Sequence, residues 1–239
     1  PDYVLKHIDL HVEPGEYLAL VGSSGAGKTT LSKMICGLRE PSEGKVEVRI
    51  GDDWVNMAEP GPTGKGRATQ YIGILHQEFS LYPFDTILQN LTVCIGIKLP
   101  AELAKMKAIQ VLLGSGFDRA DVEKILYAYP DNLSVGEKQR VALAQVLIRE
   151  PSLVILDEPT GTMDPITKNS VAKSVLTARK ELGETFLIVS HDMDFVMNCC
   201  DRAAIMKDGK IVAMGAPSDI VEYLEEIELK ENENGGAEN

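Results

Sequence analysis

The sequence predicts an α/β protein, a mainly parallel sheet flanked by helices with a helical block set into it. Three observations carry that prediction. Short apolar stretches alternate with helical patterns along the chain, which is how strand–helix–strand crossovers read. "LVILDE" at 153–158 is apolar up to its last two residues and lacks the polar alternation of a half-exposed strand. It therefore belongs inside a parallel sheet covered on both faces. Between Ser80 and Glu150 the pattern is mainly helical, with breaks at Pro100, at Gly114 and Gly116, and at Pro130.

The elements follow in order. "YVLKHIDLHV" (3–12) and "EYLALV" (16–21) read as strands around the turn Glu13-Pro14-Gly15, and a helix runs from Lys28 to about Leu38. "GKVEVRI" is a strand. Residues 51–70, rich in Gly, Pro and charge, read as a surface loop. "YIGIL" is a short buried strand leading into the helical block. After "LVILDE" come a helix over 165–182, the strand "TFLIVS", and the helix "DMDFVMNCC". "AAIMKDGKIVAMG" is a hairpin turning at Asp208-Gly209. A last amphipathic helix runs from Ser218 to about Glu226. Residues 1–227 make one domain, with the helical part at about 81–150 inserted in it. The acidic stretch 228–239 reads as a solvated, disordered tail.

Of the 239 residues, 44% are hydrophobic and 25% charged, enough apolar material for a substantial core. The net charge of -12 argues against broad nucleic-acid binding, which needs basic surface. Cys36, Cys94, Cys199 and Cys200 form no CxxC pair and have no His at metal-ligand spacing, so free thiols in a reducing cytoplasm are expected. No signal peptide and no bilayer-length apolar run is present. The chain opens without Met and already in strand-like sequence, and it reads as a piece of a longer polypeptide.

"GSSGAGKTT" (22–30) fits G-x-x-x-x-G-K-[ST], with an apolar strand before it and a helix after it. That context makes it a phosphate-binding loop over Gly22, Ser23, Ser24, Gly25, Ala26, Gly27, Lys28, Thr29 and Thr30. Its glycines let backbone N–H groups approach phosphate, Lys28 reaches the β/γ oxygens, and Thr29 ligates Mg²⁺. Asp157 and Glu158 end a buried strand, where an open α/β sheet holds its ligand. Asp157 is expected in the Mg²⁺ shell, and Glu158, pointing to the other side of the strand, is placed to act as general base on a water. Gln77 follows "YIGIL" and is placed to reach the metal or the water. His191 follows "TFLIVS" and is placed to hold the γ-phosphate. Either alone would read as structural; together they gather at the carboxyl ends of presumed parallel strands.

"NLSVGEKQRV" poses a separate question. Ser134 and Glu137 form a capping box, and the helix start they prepare is an anion site, over a hundred residues from the phosphate loop. The order of loop 22–30, Gln77, "LSVGE" (133–137), "LVILDE", "GTMD" (161–164) and His191 resembles the ABC-type ATPase domain over nearly the whole chain. The resemblance implies a P-loop NTPase core sheet of the RecA kind, an antiparallel β subdomain and an inserted helical subdomain. It also implies ATP and Mg²⁺ as cofactors and an ATPase activity. In that family two domains pack head to tail, so Ser134 and Gly136 would touch the γ-phosphate held by a second ABC domain, from the same parent chain or another copy. Asp164 would communicate between the two sites.

The sequence departs from the family pattern in three places. The usual LSGGQ is LSVGE, so Val135 replaces a glycine and Glu137 brings a negative charge near a triphosphate, offset by Lys138 and Arg140. An active but slower site is expected. The aromatic that stacks on adenine normally lies further upstream than Tyr3, which is the stand-in available.

Three jobs compete: ATPase subunit of a membrane transporter, soluble ATPase remodelling another protein, and a nucleotide binder without turnover. "SLYPFDTILQNL" (80–91) resembles the segment that transporter ATPases use to grip a membrane permease. Glu158, His191 and Gln77 together argue against the non-hydrolysing option. Less common words such as "VRIGDDWVNM" and "LPAELAKMKA" resemble the family of two-domain ATP-binding components that activate methyl-coenzyme M reductase in methanogenic archaea. That resemblance implies a cytoplasmic protein, of which this chain would be the C-terminal half, whose partners are the reductase and other activation proteins; this is the reading the sequence favours, with the transporter subunit as the alternative.

Overall fold

In a computed structural model, residues 3–235 are described. The chain runs through β1 (Tyr17–Val21), α1 (Lys28–Ile35), β2 (Glu47–Ile50), β3 (Asp53–Asn56), α2 (Lys65–Ala68), β4 (Ile72–His76), α3 (Ile87–Thr92), α4 (Ala101–Gly114), α5 (Val122–Leu126), α6 (Val135–Leu147), β5 (Leu153–Asp157), α7 (Pro165–Leu182), β6 (Phe186–Val189), α8 (Met193–Cys199), β7 (Arg202–Lys207), β8 (Lys210–Gly215) and α9 (Pro217–Gly235). The main sheet has the order β4-β5-β6-β1-β7-β8. Its strands are parallel except β8, which turns back on β7. A separate antiparallel pair, β2 and β3, forms the small second sheet.

Period-two alternation sorts the side chains to the two faces of the sheet. Val154, Leu156 and Ile188 face the helical block and α7, where they pack with Leu112, Leu126 and Val141 of the block and Val175 of α7. Leu18, Leu20, Ile155 and Val189 face the other way and pack with Leu31 of α1. Ala19, Val21 and Ile205 meet Val196 of α8 and Ile220 of α9. The five residues of β1 are all fully buried, as a central strand of a two-sided sheet requires.

Three expectations fail. Residues 3–12 form no strand: His7 takes a positive φ of 52°, Lys6 N–H donates to Gly209 O at 2.8 Å, and the Arg202 guanidinium of β7 donates to His11 O. Its apolar residues still find the core, with Leu5, Ile8, Leu10 and Val12 packing beside β1. The surface loop expected over 51–70 contains β3, which pairs with β2 through the tight Gly51-Asp52 turn and buries Val55 and Met57. The disordered tail expected from 228 is instead helix α9 up to Gly235. Glu226 lies four residues before Lys230, a favourable helical spacing, and Lys207 Nζ lies 3.3 Å from Glu231 Oε1. Residues 236–239 of that expectation lie outside the described residues.

Candidate functional site

Strand β1 delivers the chain into the loop 22–30, which wraps the start of α1. Gly22, Gly25 and Gly27 have φ of 149°, 81° and 103°. A Cβ on Gly22 would run into Met206 O, and one on Gly27 would sit 2.7 Å from Leu5 Cδ2. Gly27 is the N-cap of α1 and no side chain caps it, so the first N–H groups of the helix are left for an anion. The loop is braced from behind: Gly209 N–H, at the β7–β8 turn, donates to Ala26 O at 3.1 Å. Lys28 folds back over the loop, its Nζ 2.5 Å from Gly22 O. Cys36, Cys94, Cys199 and Cys200 are all free; burial pushes the Cys36 thiol up to about 11.

Across from the loop stand the ends of β4, β5 and β6. Glu158 follows β5 with a left-handed φ of 49°, and its N–H extends the pairing by donating to Val189 O at 2.8 Å. Its Oε1 lies 3.9 Å from Lys28 Nζ, and its Oε2 lies 2.8 Å from His191 Nδ1. The imidazole approaches off the hydrogen-bond direction, so Glu158 Oε2 is buried without a hydrogen-bond partner. A buried carboxylate oxygen left in that state calls for a donor such as water.

Gln77 leaves β4 beside this group, its amide packed against Gly161, where a Cβ would collide with it. The register pairs His76 with Asp157, and His76 Nδ1 lies 3.3 Å from Asp157 Oδ2. Sequence reasoning missed His76. Its signal was its place next to Gln77 at the end of an apolar strand.

Ser134, Gly136 and Asp164 belong to a second group. Ser134 N-caps α6: its Oγ accepts from Glu137 N–H at 3.1 Å, and its own N–H donates to Glu137 Oε1 at 3.0 Å. Val135, the residue in place of glycine, is 65% exposed and so leaves the fold unstrained. Gly136 faces Ser170 of α7, whose Oγ accepts from Arg140 Nη2. Asp164 caps α7, accepting from Ile166 N–H and Thr167 N–H at 3.0 Å each and from Thr167 Oγ1 at 2.6 Å. The Thr167 hydroxyl and amide hold the Asp164 carboxyl below its ordinary value. Among the described residues, no hydrogen bond or ion pair joins Ser134, Gly136 or Asp164 to the loop 22–30. Tyr3, the aromatic stand-in, donates to Glu43 Oε1 at 3.3 Å.

A further cluster was invisible in the sequence. The Asp192 carboxylate accepts from Thr160 Oγ1 at 3.1 Å and from Phe195 N–H at 3.1 Å, and pairs with Lys168 Nζ at 2.9 Å. Burial pushes this carboxyl up, but the bonds from Lys168, Phe195 and Thr160 outweigh it and hold it below its ordinary value.

A glycine loop on an uncapped helix, facing a carboxylate with one buried oxygen at a sheet's carboxyl edge, has the open N–H groups that a phosphate-bearing ligand needs. The family model described as ABC transporter matches residues 5–161. The chain belongs to this family. Over 231 residues it is 57% identical to an uncharacterized ABC transporter ATP-binding protein of Methanocaldococcus jannaschii, covering 95% of this chain and 43% of that protein. It is 36% identical to the glycine betaine/carnitine/choline transport ATP-binding protein OpuCA of Bacillus subtilis, covering 95% of this chain and 58% of the relative. The chain thus spans about half the length of the curated relatives it matches. Among solved structures, cbiO1 of Clostridium perfringens, part of an ABC transporter complex, aligns with a TM-score of 0.80 at 30% identity, over 94% of this chain and 86% of that one. A dimeric ATP-binding cassette in a post-hydrolysis state, bound to ADP and Pi, aligns with a TM-score of 0.70 at 26% identity, over 90% and 91%. The ABC ATPase fold, with its core sheet, small antiparallel sheet and helices between β4 and β5, is therefore established.

Proposed function

We propose that this ABC ATPase domain binds Mg·ATP on the loop 22–30 and hydrolyses it in a site completed by a second ABC domain, as the motor of a membrane transporter. The observation that carries the hydrolytic part is the buried, unpartnered Glu158 Oε2 between Lys28 and His191. A water donating to that oxygen would have its lone pairs free for the γ-phosphorus. Glu158 takes the water's proton as the new P–O bond forms and the bond to the bridging oxygen of ADP breaks. Phosphoryl transfer proceeds through a loose transition state, so positioning and charge compensation do most of the work. Lys28 exchanges Gly22 O for the β/γ oxygens, and His191 steadies the γ-phosphate from the β6 side.

The residues present fit a magnesium ion. Among the described residues no cluster of three or more His, Cys, Asp or Glu side chains forms a protein-only cage. Magnesium bound with nucleotide is instead held by one or two protein oxygens together with phosphates and water, and Thr29, Asp157 and Gln77 supply hard oxygens of that kind. When bound, the ion neutralises charge on the phosphate oxygens. Ser134 and Gly136 from the second domain meet the γ-phosphate, and Asp164 links the two sites. ATP favours the closed pair and ADP the open one, so hydrolysis shifts a population between them.

The transporter reading is supported by the relatives, which include a transport ATP-binding protein and part of an ABC transporter complex, and by the segment between β4 and α3. Tyr82 and Phe84 stand exposed there, with Phe84 at 91%. The buried Asn90 braces them, accepting from Tyr82 N–H at 2.7 Å and donating to the carbonyls of Tyr82, Asp85 and Thr86. Exposed aromatics on a rigid segment suit docking on a membrane permease at the cytoplasmic face. Among the described residues no helix is long and apolar enough to cross a membrane. Activation of methyl-coenzyme M reductase rests on the less common sequence words alone, and the relatives named above do not speak for it.

Glu158→Gln tests the chemistry: turnover falls by roughly 10²–10⁴-fold, the usual worth of a general base, while ATP still binds. Unchanged turnover sinks the assignment. The same variant, locked by ATP and used for capture, separates the two clients. A polytopic permease supports the transporter reading; reductase subunits overturn it.

A further inference from the structure

The turns that carry Glu158 and His191 are tied together by a third side chain, Asp192. His191 is largely exposed, with 68% of its side chain open, and no packing fixes its imidazole over Glu158. Its placement comes from its backbone neighbours. Ser190 is fully buried, its N–H donates to Leu20 O at 3.1 Å, and its Oγ accepts from Asp192 N–H at 3.0 Å. On the far side of His191, the Asp192 carboxylate is 12% exposed and gathers three donors from three places in the chain. Phe195 N–H belongs to α8. Thr160 Oγ1 belongs to the turn two residues past Glu158, itself buried. Lys168 Nζ belongs to α7, one helical turn after Asp164. A partly buried carboxylate with three charge-assisted bonds is a stiff joint.

We infer that Asp192, paired with Lys168, is a positioning residue that ties the start of α7 to the His191–Glu158 pair, so that a displacement at Asp164 is felt at the catalytic carboxylate. This rests on the hydrolytic reading of Glu158. The path is contiguous: the N-terminal turn of α7, the Lys168 ammonium, the Asp192 carboxylate, then the backbone on which His191 sits. Thr160 closes the loop by bracing the Glu158 turn to the same oxygen that Lys168 holds, Asp192 Oδ2. Lys168 is the informative position, because Asp192 also caps α8 and its loss would unseat a helix.

The test compares Lys168→Met with Lys168→Arg in the full 239-residue chain. The chain has four histidines, so the His191 imidazole signal is assignable by NMR with a His191→Gln reference. Lys168→Met is expected to move the His191 resonance and to speed amide exchange over 192–195 by about 10-fold, as local opening grows easier. Turnover falls about 10-fold while the ATP dissociation constant stays within about twofold, a split expected when positioning rather than binding is lost. Lys168→Arg restores all three, since it keeps the charge. A His191 signal and exchange pattern in Lys168→Met superimposable on the parent overturns the inference. So does undiminished turnover with those signals altered, or an arginine variant no better than the methionine one. If Glu158→Gln leaves turnover intact while the Lys168 variants behave as expected in NMR and exchange, the hydrolytic assignment fails and the brace stands.

Discussion

In the proposed function helices α1 and α6 both face an anion, yet they start in opposite ways. At α1 the N-cap is Gly27, with no side chain to bond the first N–H groups. At α6 the N-cap is Ser134, and it and Glu137 satisfy each other in both directions. In the proposed function the open end serves the chain's own ligand, since an unsatisfied N–H row in a glycine loop suits phosphate. The closed end is self-sufficient, as a surface bound only part of the time must be: an orphan helix start exposed between encounters would cost stability. The contrast gives a physical reading of why α6 carries a capping box and α1 does not.

The largest effect expected from this contrast is on turnover. Ser134→Arg places a long cation where a second domain's nucleotide would dock. In the isolated chain the ATP dissociation constant should stay within about twofold, because among the described residues no hydrogen bond joins Ser134 to the loop 22–30. Turnover should fall by about 100-fold or more, the range lost when a transition-state donor is removed. Loss of ATP binding to the single chain would put Ser134 in its own site and dissolve the distinction between the two helix ends.

Gly27→Ala attacks the open end directly. The φ of 103° is outside what an L side chain tolerates, and the new Cβ meets Leu5 Cδ2 at 2.7 Å. Strain of this kind costs about 1–3 kcal/mol, which corresponds to a loss of roughly 5–150-fold in ATP affinity. Equilibrium titration with a fluorescent nucleotide reads it. An unchanged affinity would mean that the loop tolerates closure and that its openness is not what binds phosphate.

How far the sequence revealed these two ends depends on how local their physics is. The capping box is three residues apart and was legible. So was the glycine loop between strand and helix, and α7 fell where the pattern placed it, from Pro165 to Leu182. Features set by distant partners were not legible. Strand β3 hides in a Gly- and charge-rich stretch because its signal is its pairing with β2. The stretch 3–12 alternates like a strand over Ile8, Leu10 and Val12, but His7 bends it away, and bonds to distant partners hold it, Lys6 N–H donating to Gly209 O and Arg202 of β7 donating to His11 O. The Thr160–Lys168–Asp192 joint draws on three elements whose meeting only the fold decides. His76 beside Asp157 follows from register, which no single strand announces.

Glu137→Gln is the smallest change and the finest probe of the closed end. Glutamine serves a capping box as well as glutamate does, so the bond from Ser134 N–H and the fold should survive. Two opposing charge effects remain. A carboxylate in the first turn favours the helix dipole by about 0.3–1 kcal/mol, so the free chain should lose stability by a few tenths of a kcal/mol, read as a small drop in melting temperature. The same charge repels a triphosphate arriving from the partner, so pairing driven by ATP should tighten several-fold, read by light scattering in the Glu158→Gln background. Both effects should shrink as salt rises, because exposed charges are screened over about 8 Å at physiological ionic strength. A variant that melts lower yet pairs no more tightly at low salt would mean that no phosphate comes near Glu137, and the closed end of α6 would then be a cap and nothing more.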